Sequence, residues 1–111
     1  MRVEAVDPGQ LRTELVLEKV VLTPDGQGGH VEEWVAVATL FARLRPVAAR
    51  GTFGADQTLE ALTHDVTIRS RGDVASGMRL RQAGRVFDIV TAHDLDETGR
   101  YLLLRTREVG R

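Results

Sequence analysis

Thr23-Pro24-Asp25-Gly26-Gln27-Gly28-Gly29-His30-Val31-Glu32-Glu33-Trp34-Val35-Ala36-Val37-Ala38-Thr39-Leu40-Phe41-Ala42-Arg43-Leu44-Arg45-Pro46 joins a glycine-rich turn to the longest strand candidate and carries the only tryptophan. Asp25-Gly26 with Gly28-Gly29 supplies residues that tolerate positive φ, which a chain needs to reverse between paired strands, so a hairpin is the simplest outcome. Beyond the turn, Trp34, Ala36, Ala38, Leu40, Ala42 and Leu44 recur at every second position. Glu33, Thr39, Arg43 and Arg45 take the other face, and Pro46 closes the run. A period of two is strand alternation. The indole beside a row of alanines predicts a tight, curved sheet in which Trp34 fills space that the small side chains leave.

The same alternation recurs on either side of this stretch. Asp7-Pro8-Gly9 is a turn, and residues 1–9 are expected to form a flexible N-terminal arm. Leu11, Thr13, Leu15 and Leu17 alternate with Arg12, Glu14, Val16 and Glu18, and the phase changes at Lys19-Val20-Val21-Leu22, as a β-bulge would make it do. Leu62, His64, Val66 and Ile68 alternate with Thr63, Asp65, Thr67 and Arg69. Met78 to Arg81 is a short strand, and Gln82-Ala83-Gly84 turns into Arg85 to Val90, with Phe87 and Ile89 facing the core. Asp94 to Gly99 is a further turn before Tyr101 to Arg105, where Leu102 and Leu104 join the inward set. Between Val47 and Ala61 the alternation disappears, which predicts one long loop or short helix between the second and third main strands. Such excursions are frequent working parts. The fold class is all-β: a single-domain, small antiparallel β-barrel of about six strands.

Composition narrows the function classes. A chain of 111 residues builds one core and has little material for a separate catalytic unit. A net charge of -1 and 5% aromatic content argue against a general binder of nucleic-acid backbones or stacked bases. Lys19 is the only lysine among 15 basic residues; the arginine bias fits protein interfaces and fits a high-GC coding genome equally well. With no cysteine, disulfides, thiolate metal sites and cysteine nucleophiles are excluded. The N-terminal stretch lacks the apolar core of a signal peptide. The least polar run, Trp34 to Ala42, falls short of the about 20 residues that cross a bilayer as a helix. No membrane partner is expected.

No chemical motif assembles. His30, His64 and His93 have no metal-ligand spacing, and His64 reads as a hydrogen-bonded histidine at the core edge. Asp94-x-Asp96-x-Thr98-Gly99 imitates the start of a calcium loop, but its closing glutamate position falls at Arg105, so it reads as a hairpin turn. Arg71-Gly72-Asp73 reads as a surface turn. Neither Ser70 nor Ser76 lies in a nucleophile elbow, and Glu32-Glu33 point to opposite faces of one strand. Neither enzyme, cofactor, metal nor small-molecule substrate is expected. The arginine pairs Arg43 with Arg45, Arg79 with Arg81, and Arg105 with Arg107 stand on alternating strand positions, as solvated faces or protein contacts do. Gly28, Gly29, Trp34 and Phe87 are the expected structural positions.

Taken in order, Asp7-Pro8-Gly9-x-Leu11-Arg12, Asp25-x-x-Gly28-Gly29 followed by Trp34, Ala42-x-Leu44-x-Pro46, His64-x-Val66-x-Ile68-Arg69, Met78-Arg79 and Arg85-x-Phe87-x-Ile89 resemble the head-tail joining family of tailed bacteriophages. These head-closure or stopper proteins also occur in prophages and gene transfer agents. The resemblance implies a structural virion neck protein, assembled in the bacterial cytoplasm as a homo-oligomeric ring below the portal and adaptor. Such a ring helps retain packaged DNA, which passes through its channel, and docks the tail protein beneath. It also implies that the long loop lies at the channel, with Arg50, Gly51, Thr52, Phe53, Gly54 and Gln57 as contact positions, and that Arg43, Arg45, Arg79 and Arg81 serve the interfaces. The alternative is a nucleic-acid-binding small β-barrel of OB type, although the aromatic residues are scattered over separate strands; a metal-binding cupin-like barrel lacks clustered ligands.

Overall fold

A computed structural model describes residues 6–47 and 62–110. The six expected strands are present: β1 (Thr13–Pro24), β2 (His30–Pro46), β3 (His64–Arg69), β4 (Arg79–Gln82), β5 (Arg85–Asp94) and β6 (Tyr101–Val109). They close in the order β1-β2-β3-β6-β5-β4, every neighbour antiparallel. Closure removes sheet edges wherever strands are paired on both sides. The long connection falls between β2 and β3, as the loss of alternation there predicts. Arg50, Gly51, Thr52, Phe53, Gly54 and Gln57 lie outside the described residues. At the other end of the chain, a 3-10 turn (Pro8–Gln10) is capped by Asp7, whose carboxylate accepts the Gly9 N–H at 3.0 Å.

The barrel interior is filled by Leu15, Leu17, Leu40, Ala42, Val66, Ile68, Leu80, Phe87, Ile89 and Leu104. Each is an inward member of its strand's alternation. Phe87 is fully buried and is the largest of these side chains, so it is the main space-filling residue of the interior.

Trp34 is the correction. Leu17 pairs with Ala38, but the next residue, Glu18, pairs with Ala36, so Val37 is an extra residue in β2. A one-residue insertion reverses the facing of everything beyond it. Ala38, Leu40 and Ala42 face the core, whereas Ala36 and Trp34 turn to the outer surface beside Glu18 and Val20. The bulge expected in this hairpin is real, and its extra residue sits on the partner strand. A second register shift, between Ile89 and Thr91, lets β5 continue to Asp94, beyond the end expected at Val90.

Past Glu18, β1 has no strand but β2 beside it, and Lys19–Pro24 with His30–Val35 project as a two-stranded arm. Gly28 at φ +87° belongs to its turn, and a Cβ on Gly29 would lie 2.9 Å from the Asp25 carboxylate. That carboxylate accepts N–H bonds from Gln27 at 2.7 Å and Gly29 at 3.0 Å, which ties the tip together.

Candidate assembly surfaces

The strongest polar constellation lies where the arm leaves the barrel. Leu17 and Leu80 face inward across the β1–β4 ladder, so the flanking Glu18, Arg79 and Arg81 share the outer face. The Glu18 carboxylate accepts from Arg79 Nε at 2.7 Å and from Arg81 Nε at 2.8 Å. Its side chain is 6% exposed, against 23% for Arg79 and 43% for Arg81. Burial pushes the Glu18 carboxyl up. The hydrogen bonds and charges of Arg81 and Arg79 overcome that and hold it below its ordinary value. Arg79 also lies over Trp34, its guanidinium carbon 4.1 Å from the ring centroid. Two of the four arginines assigned to interfaces therefore brace their own barrel, and Trp34 covers the brace.

Arg43 and Arg45 point out from the opposite half of β2. Arg43 donates to Gln10 Oε1 at 3.2 Å and Thr67 Oγ1 at 3.4 Å, fixing the N-terminal turn to the barrel wall. Arg45 faces Asp65 across the β2–β3 ladder.

A second constellation surrounds His64 at the start of β3, where the chain returns from the long connection. Arg85 forks onto Glu108, with Nε to Oε2 at 2.9 Å and Nη2 to Oε1 at 3.1 Å. The imidazole meets Phe87 edge to face at 5.1 Å. Its Nδ1 is 2.8 Å from Thr63 Oγ1 and its Nε2 is 3.5 Å from Arg85 Nη2. A neutral ring satisfies both neighbours, Nδ1–H donating to Thr63 and Nε2 accepting from Arg85. Burial depresses the His64 pKa and Arg85 adds to the effect, against an opposing pull from Glu108. The sequence reading of His64 as a hydrogen-bonded histidine at the core edge agrees with this geometry.

The remaining polar motifs are consumed by turns. Arg71 bridges Asp73 with bonds of 2.8 and 2.9 Å. Asp94 accepts the Glu97 and Gly99 N–H groups, and Asp96 accepts from the Thr98 N–H and hydroxyl. Among the described residues no group of three histidine or acidic side chains could hold a metal ion. What sequence reading missed is apolar: the arm exposes Val20, Val21, Leu22, Val31 and Val35, and the barrel wall exposes Phe41. The unbroken apolar run Val20-Val21-Leu22 is the available signal, since it leaves neither strand face polar.

The match of the family model described as phage head completion protein spans residues 6–109. A chain from the virion of a native gene transfer agent particle is 30% identical, with a TM-score of 0.68 over 89% of this chain and 96% of that one. Protein SF1141 from Shigella flexneri 2a, known from a solution structure, is 25% identical, with a TM-score of 0.75 over 96% of this chain and 99% of that one. No curated protein matches the sequence.

Proposed function

The chain belongs to the phage head completion protein family, and from that premise we propose that it is a virion neck component that closes the filled head and joins it to the tail. It is a structural protein and not an enzyme, as its family is. The observation that carries the proposal is the near full-length likeness, at 30% identity, to a chain of a gene transfer agent virion. A closed barrel with a projecting two-stranded arm is compatible with this reading, since it has more than one outer surface on which a neighbour could rest.

In this reading the subunits form a ring under the portal and adaptor, the tail docks beneath, and packaged DNA is held at the channel. Arg50, Gly51, Thr52, Phe53, Gly54 and Gln57 of the long connection are the proposed channel contacts. Because the core lies on the six strands, removing Gly51 to Thr58 should leave the melting transition cooperative. The same deletion should abolish tailed, DNA-filled particles in a producing strain. Normal particle yield from that deletion would remove the channel role from the proposal.

A further inference from the structure

A two-stranded ribbon that stands away from its barrel is marginal in water unless something covers it. The arm has this problem on both faces. Leu22 is 57% exposed and lies opposite Glu32, while Val31 is 52% exposed on the other face, which it shares with Glu33. Apolar side chains and carboxylates are therefore interspersed along the arm, where Asp25, Glu32 and Glu33 stand against one lysine, Lys19, at its base.

A surface of matching chemistry exists elsewhere on the same chain. A groove of about 420 Å³ opens where β3 ends beside β2, lined by Pro8, Leu11, Leu40 and Phe41 with Arg69 and Arg71 on the same wall. Phe41 is 57% exposed there, an unusual position for a phenylalanine on a barrel wall. Arg69 is exposed, and Arg71 carries its charge at the edge of the groove while bridging Asp73.

We propose that the arm of one subunit lies in this groove of a second copy, Leu22 against Phe41 and Glu32 against Arg69. The inference rests on the ring reading above and specifies its contact. The occupant is a second copy because apolar and charged complements both reside on one chain. Within a chain they cannot meet: Leu22 pairs with Glu32 and Glu14 with Phe41, which puts them eight β1 positions apart, about 26 Å. Because arm and groove are different patches, the contact is heterologous and propagates from copy to copy until a ring closes.

The absence of native cysteine makes the test direct. In a strain lacking the native gene, particles are assembled from the chain carrying both Leu22→Cys and Phe41→Cys, then oxidised and run on a non-reducing gel. Both positions are exposed, so the substitutions leave the core intact. A ladder of cross-linked multimers is expected from the double variant, and monomer from either single variant. Dimers from Leu22→Cys alone would show arms pairing with arms and overturn the proposal, as would assembled particles without the ladder. In parallel, Glu32→Arg should lower particle yield at least about tenfold and added Arg69→Glu should restore it; full yield from Glu32→Arg also overturns the contact. Failure of the ring reading has a different signature, namely normal tailed particles from the strain without the gene.

Discussion

Replacing Glu18 with glutamine removes the centre of the brace while keeping its size. One nearly buried carboxylate serves two guanidinium groups, so Glu18→Gln leaves two like charges side by side with one anion gone. Breaking a fully buried ion pair costs about 3–5 kcal/mol, and an exposed pair is worth about 0–1 kcal/mol. Glu18 belongs to the first class, but Arg79 and especially Arg81 reach water, so the expected loss is about 2–3 kcal/mol. For a domain of this size that lowers Tm by roughly 6–12 °C. The assay is thermal unfolding followed by far-UV circular dichroism, for both proteins, from neutral to acid pH. Glu18 has a folded pKa below its unfolded value of 4.5. Its contribution is thus complete above that value and is lost as pH falls through the depressed folded pKa. The gap between the two proteins should be full at neutral pH and close in acid below the ordinary carboxylate range. Equal melting at neutral pH, or a gap that persists unchanged in strong acid, would refute the brace.

Trp34→Ala and Phe87→Ala should separate the outer surface from the core. With Trp34 half-buried over Arg79, its loss should cost under about 2 kcal/mol, whereas fully buried Phe87 should cost about 3–5 kcal/mol; equal costs in chemical denaturation would contradict the bulge at Val37. His64 should titrate below 6.5 by NMR, because its folded form favours the neutral ring. Its contribution is present above the unfolded value and is lost as pH falls through the folded one, so a His64 midpoint above 6.5 would contradict a ring held neutral by burial and by the neighbouring Arg85.

The strands and most of the inward set were legible because closure of a small barrel makes one face of each strand uniformly apolar. Leu15, Leu17, Val66, Ile68, Phe87, Ile89 and Leu104 all stand where alternation puts them. Trp34 escapes the alternation because an inserted residue, Val37, leaves the even-numbered positions looking continuous. The phase change at Lys19 to Leu22 gave the bulge away, but not the strand that carries its extra residue. Glu18 looked like an ordinary outward carboxylate; its partners lie 61 and 63 residues away, beyond any local pattern. Alternation puts Arg79 and Arg81 on one face, and only the β1–β4 pairing shows what that face meets. Phe41 and the arm's aliphatic residues read as strand formers, since strand propensity does not reveal whether a neighbour covers them.

The measurement that bears most directly on the neck assignment is deletion of the gene in the producing strain, with negative-stain electron microscopy of the lysate and a complemented strain beside it. Separate heads and tails, the heads losing their DNA, are predicted, with tailed particles returning on complementation. Intact, DNA-filled tailed particles from the deletion strain would contradict the assignment.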